Sequence, residues 1–276
     1  TLEDELGVNI FDRSQLPVQP TVIGTQIINQ ARVIVSQVKQ IKEIIQEEKG
    51  IVQGVFRLGI IPTIAPYLLP KLMQVHDQNG YDIVLVIEET TTAQIIDKLL
   101  SGALDGAILA TPLKIDKITE HPVYYEKFYA YISPRETSLY AKKELEEDDL
   151  NINRLWLLEE VHCFRNQILR ICNMRKRKSS HSLFAYEAGS INTLINIVDS
   201  NSGMTVIPEM AISELTEQQK KNIRPLKGMN PVREVSLVTR REFLRERVLD
   251  IIISEIKQAV PKELLNPELK KFVVDI

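Results

Sequence analysis

The chain has 276 residues, 44% hydrophobic and 26% charged, which excludes a disordered or low-complexity polymer and is long enough for more than one core. A net charge of −3 gives no general attraction to nucleic acid, and two cysteines exclude a disulfide-stapled scaffold. No apolar run approaches the roughly 18 residues of a membrane span and no signal-peptide pattern is visible, so a cytoplasmic chain with no membrane partner is expected.

In chain order, Thr1 to Leu6 reads as the tail of a helix stopped by Gly7, and residues 9–20 alternate and turn like a short two-stranded wing. A chain that opens inside a helix reads as a fragment. From the N-cap Thr21 a helix is predicted to about Lys49. Ile27, Ala31, Ile34, Val38, Ile41 and Ile45 repeat along it in steps of four and three, a heptad seam. The seam can serve a dimer-forming linker helix or an amphipathic helix lying on its own domain, and the linker is the preferred reading. Its polar face carries Gln37, Lys39, Gln40, Lys42 and Glu43, and Glu47 to Gly50 end it.

After Gly50 short apolar runs alternate with helical periods, the pattern of βαβ units and a largely parallel sheet. Strands are predicted near 54–61, 82–88, 105–110, 128–133, 154–159, 183–187, 203–207 and 233–239. Helices are predicted near 65–79, 91–101, 163–178, 190–201, 208–220 and 243–259. The tail 261–276, with two prolines and a small amphipathic segment, has no predicted place.

The stretch HCFRNQILRIC holds both cysteines, Cys163 and Cys172, nine positions apart. Arg154 to Glu160 reads as a strand that delivers the chain into a helix, with Cys163 in or before its first turn. The helix terminus, His162 and Arg165 would each favour a thiolate, lowering the Cys163 pKa below its ordinary ~8.5. Nine residues of continuous helix correspond to roughly 13.5 Å of rise and about 900° of turn, so the two thiols lie on opposite faces. Such a helix forbids a disulfide. The pair is then either two unrelated structural cysteines or a switch in which bonding requires the helix to unwind.

LLEEVHCFRNQILRIC, with eight residues between its cysteines, resembles the redox loop of the peroxide-sensing, OxyR-type branch of the LysR-type transcriptional regulators. TLEDELGVNIFDR resembles the end of that family's winged helix-turn-helix. GIIPTIAPYLLPKLM, SGALDGAILA and SNSGMTVIP resemble its regulatory domain. The resemblance covers nearly the whole chain and implies an α/β fold of two Rossmann-like subdomains, like a periplasmic binding protein. Subdomain I would comprise 51–127 and 228–260, and subdomain II 128–227. They would follow a winged-helix remnant (1–20) and a linker helix (21–50).

The resemblance also implies roles. Cys163 would be the peroxidatic thiol and Cys172 the resolving one, and Thr63 and Thr92 fall on the threonines that line a peroxide pocket with His162, Arg165 and Arg233. Read from sequence alone, Thr63 either faces the cleft at the end of the first strand or N-caps the next helix. An arginine entering a strand, as Arg233 does, is ordinarily a solvated edge residue. Two positions depart from the family: Val161 stands where glycine is common, and Asn166 where an acid is usual. A β-branched residue at 161 excludes the positive-φ backbone that glycine allows.

The basic run Arg170 to Lys178 reads as a solvated helix end. His76, His121 and His181 are scattered, and a set such as Cys163, Cys172 and His181 does not match usual zinc spacings, so neither a metal nor a cofactor is expected. The expected function is a redox-sensing regulator, not an enzyme, that answers hydrogen peroxide by a reversible Cys163–Cys172 disulfide and controls oxidative-stress genes. Its partners would be DNA, bound through an N-terminal domain mostly absent from this chain, further copies forming a dimer or tetramer, RNA polymerase and a thiol reductant. The alternatives are a LysR-type regulator answering a small ligand between the subdomains, and a thiol peroxidase. A periplasmic-type solute-binding protein has no use for the heptad helix.

Overall fold

The computed structural model of the chain describes all residues except 15, 49–51, 151–153, 160, 172–187 and 229, and not the side chains of 36, 39, 40, 42–44 and 46–48. It opens on a short helix α1 (Leu2–Leu6) closed by Gly7 in the left-handed conformation, then a two-stranded ribbon of β1 (Phe11–Asp12) and β2 (Gln19–Pro20). Glu3 ties helix to ribbon by accepting from the Ile10 and Phe11 backbone N–H groups. Thr21 starts α2 (Val22–Glu48), its hydroxyl accepting from the Gly24 N–H at 2.9 Å. A Cβ at Gly24 would lie 1.8 Å from the Ile10 carbonyl oxygen, so only glycine lets α2 rest against the ribbon. Ile34, Val38, Ile41 and Ile45 are each 52–57% exposed, so the described residues do not cover this part of the seam.

Beyond the linker come β3 (Gln53–Ile60), α3 (Ala65–Asn79), β4 (Asp82–Glu89), α4 (Thr92–Leu100) and β5 (Gly106–Thr111). β3 pairs in parallel with both β4 and β5, as βαβ units require. β6 (Ile118–Ile132) is the spine of the molecule. Its first part pairs antiparallel with β9 (Val232–Arg240), which lies against β5, and its last part pairs with β7 (Met204–Pro208) and β8 (Ile223–Pro225). The other helices are α5 (Thr137–Tyr140), α6 (Cys163–Ile171), α7 (Ile191–Ser200), α8 (Glu217–Lys220) and α9 (Glu246–Ala259). The result is a curled mixed sheet shared by two subdomains.

The structure corrects several expectations. The sheet is mixed, because β9 returns from the far end of the chain and inserts antiparallel between β5 and β6. The strand expected at 128–133 is only the end of β6, whose earlier part contains Pro122 at a shift in register. Proline breaks the local pattern but is tolerated at a bulge. Residues 154–159 make isolated bridges from Leu155 to Met204 and from Leu158 to Ala188, without forming a strand. The helix expected at 208–220 is a 3₁₀ segment (Glu209–Glu214) followed by the separate α8, which Thr216 caps. The strand expected at 183–187 lies outside the described residues, as does the expected helix beyond Ile171.

The tail finds a place: after two 3₁₀ turns the Val274 N–H donates to the Val232 carbonyl at 2.9 Å, and Val273 bridges Val232. Gly203 explains part of the SNSGMTVIP pattern. Its φ is +105°, and a Cβ there would lie 2.6 Å from the Arg154 carbonyl oxygen.

One buried charge belongs to the fold alone. Glu255 lies on the core face of α9, and His76 of α3 answers it, with Nδ1 2.9 Å from its carboxylate and Nε2 2.7 Å from the Ile83 carbonyl. A carboxyl group on one side and a carbonyl on the other both favour the protonated ring. Burial works against that charge, but Glu255 and the carbonyl outweigh it and raise the His76 pKa. A group whose pKa is higher folded than unfolded stabilises fully below its unfolded value of about 6.5, and that contribution is lost as pH climbs through the folded value. The stability gap between wild type and His76→Gln should therefore narrow as pH rises from about 6.5, read as urea midpoints. A gap that stays constant above that pH would contradict the charged pair.

Candidate functional site

The apolar rhythm of α6 places the site. Cys163, Phe164, Gln167, Ile168 and Ile171 form its buried face, so the first residue of the helix turns inward. Cys163 is 8% exposed and is a free thiol. The Thr92 hydroxyl, on the first residue of α4, donates to its Sγ at 3.6 Å. Backbone N–H groups of Cys163 and Phe164 and the charge of Arg233 also favour the thiolate. Burial outweighs all of them and pushes the Cys163 thiol above its ordinary pKa. The expectation that this thiol ionises unusually easily is thus corrected: the helix terminus acts as anticipated, but desolvation dominates.

His162 does not supply the cation expected of it. It is buried, and desolvation holds its pKa below the ordinary histidine value although Glu159 pulls the other way, which disfavours the cation. Arg165 directs Nη1 to the Leu158 carbonyl at 2.9 Å. Val161 is exposed and outside the positive-φ region, as a β-branched residue requires, and Asn166 is exposed. Cys172 and His181 lie outside the described residues.

Arg233 is 1% exposed, against the expectation of a solvated edge. Its Nη1 donates to the Thr63 hydroxyl at 3.1 Å and its Nη2 to the Thr63 carbonyl at 3.0 Å. The residue preceding α3 is Ile64, with no side-chain cap, so the Thr63 hydroxyl faces Arg233 and does not cap the helix. The guanidinium stacks over the Phe164 ring, 5.2 Å from its centroid, which ties Arg233 to the helix carrying Cys163. The structure thereby links Thr63 to Arg233 and Thr92 to Cys163, with Phe164 joining the two pairs.

Sequence reading missed two members. Glu126 is 0% exposed, stands directly opposite Arg233 in the β6–β9 ladder, and accepts from its Nε at 2.6 Å. An acid in the aromatic run YYEKFYAYI and an arginine just before EVSLVTR were the available signal, since buried charges need partners. Gln167 is the other. Fully buried, it donates from Nε2 to the Val274 carbonyl at 3.1 Å, so the unplaced tail rests on α6. Among the described residues no group of three acids, histidines or cysteines could hold a metal ion. Cavities of about 260 Å³ near His121 and Asp250 and about 420 Å³ near Met73 and Ile87 lie away from Cys163.

Residues 49–260 match the family model described as LysR substrate binding domain. The chain is 33% identical over 263 residues to the hydrogen peroxide-inducible genes activator of Haemophilus influenzae, covering 93% of this chain and 85% of that one. It is 32% identical over 262 residues to the HTH-type transcriptional regulator EstR of Acinetobacter baylyi, covering 93% and 84%. Among solved structures, full-length OxyR of Pseudomonas aeruginosa, in a variant form, superposes with a TM-score of 0.75 at 32% identity over 93% of this chain and 85% of that one. OxyR from Porphyromonas gingivalis gives 0.71 at 33%, over 78% and 96%. The matched domain, the aligned relatives and the shared two-subdomain fold together make this chain a member of the LysR-type transcriptional regulators, of the OxyR type.

Proposed function

We propose that this regulator senses hydrogen peroxide through Cys163 and signals by forming a disulfide with Cys172. The observation that carries the reading is the buried thiol at the start of α6, hydrogen-bonded by Thr92 and grouped with the Arg233–Thr63 pair. At 8% exposure the thiol suits a small oxidant. In the first step the sulfur of Cys163 forms a bond to one peroxide oxygen as the O–O bond breaks. The thiol proton passes to the departing oxygen, which leaves as water, and Cys163 becomes a sulfenic acid. Hydroxyls such as Thr63 and Thr92 both donate and accept, so they can stabilise that oxygen as it leaves. In the second step the Cys172 thiol attacks the sulfenic sulfur, releasing a second water and closing the disulfide. A thiol reductant returns the pair to its resting state.

The N-terminal ribbon and α1 would be the remnant of a winged helix-turn-helix through which a longer chain contacts DNA. In that arrangement 21–50 serves as the dimer linker, 51–127 with 228–260 and 128–227 as the two subdomains, and 261–276 as the tail. The exposed seam of α2 supports assembly into a dimer or tetramer. RNA polymerase would be the downstream partner, in the cytoplasm. Among the described residues no helix is long and apolar enough to cross a membrane. A second reading, a small ligand held between the subdomains, is favoured by the match of residues 49–260 to a family model described as a substrate binding domain. It predicts a response that survives loss of both thiols.

The proposal requires α6 to melt, because a helix through Cys172 would hold the thiols roughly 13.5 Å apart. Melting withdraws Phe164 from Phe128 and Arg233, and Gln167 from the tail. The reduced and oxidised packings should differ by only a few kcal/mol if the switch is to reverse. Hydrogen exchange over Cys163 to Ile171 should show protection in the reduced chain and its loss after disulfide formation. Protection that persists in the disulfide form would refute the unwinding.

A further inference from the structure

We infer that Glu126 is a positioning residue for the reaction of Cys163: it holds Arg233 so that the arginine donates to Thr63, and thereby turns the Thr63 hydrogen toward the departing oxygen of the oxidant. The inference rests on the peroxide reading above and goes beyond it in assigning a residue that neither the motifs nor the redox loop contain.

Glu126 divides its carboxylate between two fixed donors. One oxygen accepts from Arg233 Nε at 2.6 Å and the other from the Met210 backbone N–H at 3.1 Å. Glu126 and Arg233 lie on the two long strands running between the subdomains, Met210 belongs to the segment following β7, and Thr63 precedes α3. With Nε spoken for, the planar guanidinium has its two terminal nitrogens left, and both reach Thr63. A hydroxyl that accepts from an arginine keeps its own hydrogen to give, so this geometry makes Thr63 a donor. Without the Glu126 anchor the guanidinium can rotate about its stem, and the direction of the Thr63 hydroxyl is no longer set.

The same carboxylate offsets the arginine's charge. Among the described residues, Arg233 on β9 is a charge that favours the Cys163 thiolate, with Glu126 behind it on β6. Tyr67 of α3 and Tyr124 of β6 feel the same pair, and the cysteine's own segment carries Glu159, His162 and Arg165, the last turned to Leu158. α4 contributes the neutral Thr92. Removing the Glu126 charge leaves Arg233 less compensated, which favours the Cys163 thiolate. The two effects point in opposite directions, and that makes them separable: thiolate formation should become easier while reaction with peroxide becomes harder.

The test uses the whole chain with Cys172 replaced by serine, so that only Cys163 reacts, and compares Glu126→Gln with its parent. Alkylation of Cys163 by iodoacetamide, which needs no hydroxyl donor, should show a midpoint moved to lower pH. Oxidation by hydrogen peroxide, compared at pH values giving equal thiolate, should slow by on the order of a hundredfold. An unmoved alkylation midpoint, or a peroxide rate that does not fall, would overturn the assignment. Should E126Q fail to fold, E126D keeps the buried charge and shortens its reach. It should leave the alkylation midpoint in place yet still slow peroxide, and an unchanged peroxide rate would overturn the assignment in the same way. If peroxide oxidises neither parent nor variant while the E126Q midpoint still shifts, the link from Glu126 to Cys163 is upheld and the peroxide reading is the part that fails.

Discussion

Cys163→Ser is expected to abolish oxidation by stoichiometric peroxide while leaving the fold intact. The substitution replaces a polarisable sulfur by an oxygen that peroxide does not oxidise, in a site where Thr92 can still donate to the new hydroxyl. A small buried hydroxyl with a partner in place costs little, about 1–3 kcal/mol at most. Thiol counting after peroxide treatment should therefore show Cys172 unmodified, and circular dichroism should be unchanged. Oxidation of Cys163→Ser at the wild-type rate would move the reactive centre elsewhere.

The second large effect concerns assembly. Val38 and Ile41 stand exposed on α2 in a part of the seam that the described residues leave uncovered. Replacing both with Asp would bury two carboxylates wherever a second copy packs on that seam, at a cost on the order of several kcal/mol per ion before relaxation. Sedimentation of the V38D/I41D variant should show a smaller assembly than wild type, with the regulatory domain's melting behaviour retained. An unchanged mass would remove the proposed role of α2 as a dimer linker.

How much of this was legible in the sequence follows from which interactions are local. The period of α2, the strand–helix alternation from 53 to 111, and the helix starting at Cys163 are set by side chains within a few residues of each other, and they appear nearly where the pattern predicts. Strand direction and order are not local properties. Nothing near Val232 says that β9 runs antiparallel between β5 and β6, and Pro122 hides the first part of β6 by breaking its pattern at a bulge. The site divides in the same way. Cys163, Thr63 and Thr92 were found through motifs, whereas Glu126 and Gln167 matter only because distant segments fold onto them. The ionisation of Cys163 shows the limit from the other side. The helix terminus was read correctly from sequence, but the burial that overrides it depends on packing that local sequence does not record.

The most direct test of the switch is the intact mass of the wild-type chain after one equivalent of hydrogen peroxide, followed by peptide mapping without reduction. A disulfide removes two hydrogens and joins the peptides of Cys163 and Cys172, and a thiol reductant should restore both. A chain that keeps its mass and both thiols, or that stops at an added oxygen on Cys163 with Cys172 still free, would contradict the account.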